Sequence, residues 1–170
     1  MENKLLEKKY KIPIDTIREG YKAYQRKFVN LRRYILTAVF LILTANFVYG
    51  AAKDSDNYIA YILIVICLAF AFREWYNPVK LRNSVIESCK ELGDPLYCLT
   101  VTEDEVVIST ETEENEPPEP ARLPVNDELS VLEYDNFFLI VYGKLMFYIV
   151  PKADFSESEL DIVRNLTKGN

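Results

Sequence analysis

The sequence contains no histidine among its 170 residues. This absence excludes acid–base catalysis by histidine, nucleophiles that histidine activates, and metal sites with histidine ligands. Cysteine is also scarce, and the three cysteines do not have the spacing of a metal site. We therefore interpret Cys67, Cys89 and Cys98 as packing residues, and we expect neither a metal nor a cofactor.

Motifs of catalytic sites are missing as well. The chain has no Gly-rich phosphate loop, no nucleophile elbow and no paired-cysteine motif. Dense carboxylates occur only at Glu103–Glu105 and in the Glu/Pro tract at residues 111–120. A divalent cation could bind there, but the glycine turn and alternating ligands of a calcium loop are absent, which favours a solvated loop. We expect no enzymatic activity and no small-molecule substrate.

Charge is divided unevenly along the chain, whose net charge is −6. Residues 1–33 contain ten Lys and Arg against four Asp and Glu, whereas residues 83–170 contain six against nineteen. Binding of nucleic acid needs a basic surface, and the acidic distal half argues against it.

Two long apolar runs stand between these ends. Residues 35–52 carry no charge, and a helix of that length spans roughly 27 Å, enough to cross a bilayer. A second uncharged run covers residues 58–72, and only residues 53–57 separate the two. The pattern predicts a transmembrane helical hairpin at residues 34–76. The alternative is a buried hairpin in a soluble protein, which the lack of a polar face on either run disfavours.

The flanking charges predict the orientation of this hairpin. Seven Lys and Arg flank the two spans, whereas the connection between them offers only Lys53. Since cytoplasmic flanks are enriched in Lys and Arg, we expect both termini in the cytoplasm of a bacterial cell, with the hairpin in the inner membrane.

Three polar residues interrupt the first span: Thr37, Thr44 and Asn46. They could line a path through a homo-oligomeric pore. A structural role is favoured, because threonine can bond to its own helix and asparagine can pair across helices.

The segment before the first span is predicted to be a basic helix. The spacing of Thr16 and Glu19 fits a capping box after a short extended piece at residues 10–14. An aromatic and aliphatic stripe follows, which favours either an interfacial membrane helix or packing against the distal domain. Its members are Tyr21, Tyr24, Phe28 and Leu31.

After the second span, a linking helix is predicted at residues 77–94, with a break allowed at Asn77-Pro78. The distal part then changes to β-branched and aromatic runs punctuated by turn residues, which predicts a small antiparallel sheet. The predicted strands are residues 96–101, 105–109, 131–134, 137–142 and 145–150. Ser156 and Glu159 form a second capping box that opens a terminal helix. The predicted parts are a basic N-terminal segment (1–33), the hairpin (34–76), the linking helix (77–94) and a sheet domain (95–170).

The distal residues carry a resemblance to a known family. The order of a basic segment, a two-span hairpin, short strands and a capped helix, with its specific residues at 135–160, resembles the bacterial YcxB-like family. The resemblance implies an α+β cytoplasmic domain similar to a pleckstrin-homology fold, and it implies a role in the fold, not in catalysis, for the residues of the family pattern. These are Asp135, Asn136, Gly143, Pro151, Lys152 and Phe155.

Two anchored spans and a sheet domain without a chemical site favour a membrane-anchored protein-interaction module that binds a partner by a sheet face or edge. An immunity protein against a membrane-active toxin and a homo-oligomeric pore or transport component remain alternatives. The expected partners are the lipid bilayer and either another protein or further copies of this chain.

Overall fold

The computed structural model describes residues 4–91, 93, 95–111 and 118–166. These residues contain seven β-strands and four α-helices. In chain order the elements are β1 (Lys4–Lys11), α1 (Ile14–Tyr24), a π-helical turn (Gln25–Val29), α2 (Asn30–Lys53), α3 (Tyr58–Glu91), β2 (Leu96–Thr102), β3 (Glu105–Glu111), β4 (Ala121–Pro124), β5 (Leu129–Glu133), β6 (Phe137–Tyr142), β7 (Met146–Pro151) and α4 (Glu157–Asn165).

The chain forms two compact units. The first, which we call the sheet module, contains the described residues of 1–22 and 86–170. The second, which we call the helical hairpin, contains residues 23–85. The predicted combination of two long apolar helices with an antiparallel sheet and a C-terminal helix is therefore confirmed.

Two antiparallel sheets build the sheet module, one in the order β1-β2-β3-β4 and the other in the order β5-β6-β7. Their inward residues form one apolar core, to which α4 contributes Leu160 and Val163. The first five residues of β6 are all buried, because this apolar central strand is covered on both faces.

The first strand lies outside the predicted sheet domain. The chain around residues 10–14 was expected to be a short extended piece of a separate N-terminal segment. Instead, β1 begins at Lys4 and pairs along its length with β2, with Tyr10 opposite Tyr97. The helical hairpin is thus inserted between the first and second strands of one sheet.

Helix α1 begins earlier than its predicted capping box. Ile17 N–H donates to Pro13 O at 3.0 Å, so the first helical turn already forms before Thr16. Tyr21 is buried and meets Phe147 of β7 edge-on, with ring centroids 5.3 Å apart. This member of the aromatic stripe therefore packs within the sheet module, as one of the two interpretations expected.

In the helical hairpin, residues 54–57 connect α2 and α3, as the sequence predicts. Asn57 caps α3 by accepting a hydrogen bond from Ala60 N–H at 3.1 Å. Phe40 of α2 stacks on Phe70 of α3, with ring centroids 5.6 Å apart. Gln25 of the π-helical turn donates a hydrogen bond to Pro78 O of α3 at 2.9 Å.

Helix α3 continues through Pro78 to Glu91, so the break allowed there does not occur and the predicted linking helix is part of α3. A proline has no N–H and so removes the helical hydrogen bond to the carbonyl four residues earlier. The carbonyl of Pro78 itself accepts a hydrogen bond from Gln25 Nε2, which joins the π-helical turn to α3.

Both Ile14–Lys53 and Tyr58–Glu91 contain a stretch long and apolar enough to cross a membrane. Of the 18 most apolar consecutive residues in each of these two helical stretches, only 6% and 17% are buried. A core helix of a soluble protein would be mostly buried. The described structure therefore disfavours the buried-hairpin alternative.

Candidate functional site

The polar residues of the first span do not converge on a common site. Thr44 Oγ1 donates to Phe40 O at 2.8 Å, and Asn46 Nδ2 donates to Ile42 O at 3.0 Å, so both bond to their own helix. Thr37 Oγ1 accepts a hydrogen bond from Trp75 Nε1 at 3.1 Å. Thr37 thus joins α2 to α3.

Residues of the family pattern lie at turns and at the corner between β7 and α4. Lys152 N–H donates to Asn136 O at 2.9 Å, which joins that corner to the turn between β5 and β6 that also contains Asp135. Gly143 has a φ of 58°, a conformation that glycine adopts without strain. These positions support a role in the fold.

Pro151 and Phe155 complete the pattern, and both are buried. Pro151 ends β7 opposite Phe137 of β6. Phe155 packs against Tyr10 of β1, with ring centroids 5.9 Å apart. The corner therefore joins the two sheets through an aromatic contact.

The most extensive ionic cluster of the described residues centres on Glu133, at the end of β5. Its carboxylate accepts hydrogen bonds from Arg164 Nη2 at 2.9 Å and from Lys152 Nζ at 2.7 Å. The hydrogen bonds from Arg164, and then those from Lys152, lower the pKa of Glu133 from 4.5 to about 2. Arg164 also pairs with Glu157 and Asp161. Every side chain of the cluster has an oppositely charged partner, and the cluster joins α4 to the end of β5 and to Lys152.

Strand β5 lies at the edge of its sheet and pairs with β6 alone. Two hydrogen bonds show which of its residues direct their backbone N–H and C=O groups toward β6. Tyr134 N–H donates to Phe137 O at 2.9 Å at one end, and Gly143 N–H donates to Glu128 O at 3.1 Å at the other. Bonded and non-bonded pairs alternate along an antiparallel ladder. The direction of the backbone N–H and C=O groups is therefore determined at every residue of β5.

This register leaves one side of β5 open. Ser130 and Leu132 direct their backbone groups toward β6, whereas Val131 and Glu133 direct theirs away from it. Among the described residues, no strand pairs with that outer side. An open edge of this kind can accept an additional strand.

A groove runs along the open edge, with a cavity volume of about 360 Å³. Asn126, one of its lining residues, fixes the turn before β5: its Oδ1 accepts Glu128 N–H at 2.9 Å, and its carbonyl accepts Leu129 N–H at 3.0 Å. We call this feature the β5 groove, and its lining residues are Asn126, Asp127, Leu129, Ser130, Val131, Leu132 and Leu166.

A second cleft, of about 480 Å³, shares its lining residue Leu166 with the β5 groove. The second cleft is more apolar in character, with Leu5 and Ile162 in its lining. Both cavities are therefore lined in part by residues at the C-terminal end of α4 or just after it.

Among the described residues, no group of three or more His, Cys, Asp or Glu side chains is arranged to hold a metal ion. Residues 112–117 of the acidic tract lie outside the described residues. The three cysteines are free thiols: Cys67 and Cys98 are buried, and Cys89 is half-buried.

Sequence reasoning predicted the strand at residues 131–134 but not its groove. That groove depends on the order of the strands and on the position of α4, and neither leaves a local signal in the sequence.

Residues 117–167 match the family model described as YcxB-like protein. This match confirms the resemblance over just under a third of the chain, from the residues before β4 to the end of α4. The β5 groove lies entirely within the matched stretch. No curated protein matches the chain, and no solved structure matches it.

Proposed function

We propose that this chain is a membrane-anchored protein-interaction module, in which α2 and α3 cross the bilayer and the sheet module binds an extended segment of a partner protein along β5. The open edge of β5 beside its groove is the observation that carries this proposal. It is an interaction site and not a catalytic one.

Membrane anchoring is supported by the two apolar helices and by the residues at their ends. Exposed aromatic residues mark the ends of the apolar runs, as in an interfacial belt: Tyr34, Tyr49, Tyr58, Trp75 and Tyr76. At one such position the guanidinium of Arg33 lies 4.7 Å from the ring centre of Trp75. The excess of Lys and Arg outside the connection favours cytoplasmic termini and the inner membrane of a bacterium.

For the sheet module we propose a pleckstrin-homology-like fold. Its support is the arrangement of four strands and three strands in two antiparallel sheets, followed by a C-terminal helix. A fold of this class does not determine a ligand. The acidic charge of the distal half still argues against nucleic acid.

The proposed mode of binding is strand addition. Main-chain hydrogen bonds from Val131 and Glu133 would provide affinity for any extended segment. Specificity would come from alternate side chains of that segment, since every second one faces the same side of the sheet. An apolar side chain beside Leu166 suits the second cleft, which is lined by Leu5 and Ile162.

A pore is less well supported. The side chains of Thr44 and Asn46 use their hydrogen-bonding groups within α2. The proposal that the partner is a toxin, which would make this chain an immunity protein, stays a prediction that the neighbouring genes can test.

A proline substitution tests strand addition on the full-length protein in its membrane. In Val131→Pro, the outward N–H is lost while the bonds of Ser130 and Leu132 to β6 remain. A photo-crosslinking amino acid at exposed Ser130 reports the partner in intact cells. We expect Val131→Pro to abolish the cross-link.

The matched control is Val131→Ala, which shortens the same side chain but keeps the N–H, and which should retain the cross-link. A cross-link that survives Val131→Pro would rule out strand addition at β5. If no cross-linked partner is found at Ser130 in the unsubstituted background, the proposed function itself is contradicted.

A further inference from the structure

The β-hairpin between β6 and β7 ends in an exposed apolar tip. Leu145 is 85% exposed, more than any other large hydrophobic side chain of the described residues, and the adjacent Met146 is 47% exposed. Gly143 and Lys144 both have positive φ, of 58° and 60°, and Leu145 N–H donates to Tyr142 O at 3.3 Å. A tight turn therefore holds Leu145 outward.

This tip lies at the end of the sheet module where the chain leaves it. Phe147, two residues after Leu145, contacts Tyr21 edge-on with centroids 5.3 Å apart. Tyr21 is followed by Lys22, the last residue of the first segment of the module. The other turn of β6, at Asp135-Asn136, is polar and lies at the opposite end of the strand.

We propose that Leu145 inserts into the headgroup–acyl boundary of the same bilayer that anchors the chain. This inference rests on the proposed membrane anchoring. A two-residue apolar tip provides no groove for a protein partner, whereas an interface accepts single apolar side chains next to a basic one such as Lys144.

One leucine would not hold a free domain on a membrane. Here the two spans already confine the module beside the bilayer, which raises the effective concentration of lipid around the tip. The contact would then orient the module instead of recruiting it. Glu128 lies beside the turn, since its carbonyl accepts Gly143 N–H at 3.1 Å, and we expect the contact to form in vesicles without anionic lipid.

The test uses the full-length chain without its native cysteines, reconstituted in phosphatidylcholine vesicles. An environment-sensitive fluorophore is attached to one introduced cysteine at a time: Leu145→Cys, Asp135→Cys or Ile42→Cys. Lipids brominated in their acyl chains quench only a probe that reaches the bilayer. We expect quenching at positions 42 and 145 and none at 135.

Quenching at 42 without quenching at 145 would overturn this inference and leave the anchoring intact. Loss of quenching at 42 would instead overturn the anchoring and, with it, the inference. A second pair of variants distinguishes insertion of the Leu145 side chain from mere closeness of the turn to the bilayer. With the probe at Met146→Cys, Leu145→Asp should abolish quenching and Leu145→Ile should keep it. Equal quenching in both variants would also overturn the proposal.

Discussion

At the scale of single residues, Glu133 connects three elements. Its carboxylate, at the end of β5, binds Lys152 after β7 and Arg164 in α4. The Lys152 Nζ also lies 4.9 Å from the centre of the Phe138 ring. Such a network stabilises more than an isolated surface pair, because several contacts hold each side chain in place.

The depressed pKa of Glu133 predicts how stability depends on pH. A carboxyl whose pKa is lowered on folding, here to about 2, stabilises the fold above its unfolded pKa, and this stabilisation is lost as pH falls through the folded pKa. We expect Glu133→Gln to be less stable than the unsubstituted chain at pH 7, and the difference to shrink as pH falls from about 5 to about 2. Hydrogen exchange in α4 measures this.

The control removes the main cause of the shift. In an Arg164→Gln background, Glu133→Gln should have a much smaller pH-dependent effect, because the hydrogen bonds from Arg164 lower the pKa most. If the stability difference between Glu133→Gln and the unsubstituted chain were the same at pH 7 and pH 3, the network would not act as described.

Local spacing in the sequence predicted one side-chain contact near this network, at the start of α4. The capping box of Ser156 and Glu159 is confirmed, with Ser156 N–H donating to Glu159 Oε2 at 2.7 Å. The partners of Glu133 were not predictable, because they follow it by 19 and 31 residues. Contacts at such separations depend on the fold, not on the local pattern.

At the scale of elements, β1 makes the sheet module discontinuous in sequence. Its inward residues Leu6 and Tyr10 belong to the main core. Tyr10 stacks on Tyr97 with centroids 5.8 Å apart, and burial raises its pKa above the usual range. The sheet therefore needs a strand that precedes both apolar helices.

A core truncation in β1 tests this dependence. We expect Tyr10→Ala to destabilise the sheet module by about 3–5 kcal/mol, the usual range for removing a buried aromatic side chain. Hydrogen exchange of peptides from β2, measured on the full-length protein in detergent, should show the loss of protection. Lys11→Ala, at an exposed position of the same strand, should change little. Unchanged exchange of β2 in Tyr10→Ala would contradict the pairing.

The strands differ in how well the sequence predicts them. β2, β3, β5, β6 and β7 all correspond to predicted β-branched or aromatic runs, with small differences at their ends. β1 was missed because five of its eight residues are charged and its partner strand lies far along the chain. β4 was missed because it has only four residues.

At the scale of the whole molecule, composition was the strongest predictor. Apolar runs predicted α2 and α3 because a membrane-length helix needs no tertiary information to be recognised. The open edge of β5 depends on which strands are neighbours across the finished sheets. That property belongs to no single segment, so the candidate site emerged only with the fold.

The orientation of the chain is a whole-molecule prediction that follows from magnitudes. A charged residue at the bilayer centre costs roughly 2.5–3.5 kcal/mol on an insertion scale, so Arg33, which precedes the first span, and Arg73, which follows the second, should both lie outside the apolar core. Two spans would then place both termini on one side, and the asymmetry of Lys and Arg predicts that this side is the cytoplasm.

Cysteine labelling in intact cells tests this orientation on a background without native cysteines. Probes are placed at exposed Ser55 in the connection, at exposed Glu19 in α1 and at exposed Asp135 in the sheet module. Because the connection alone should face outward, an impermeant reagent should label position 55 and neither of the others. After the membrane is permeabilised, all three should react, which shows that protection comes from the bilayer and not from burial. Labelling at 135 in sealed cells would reverse the orientation, and labelling at 19 without 135 would contradict a hairpin with both termini on one side.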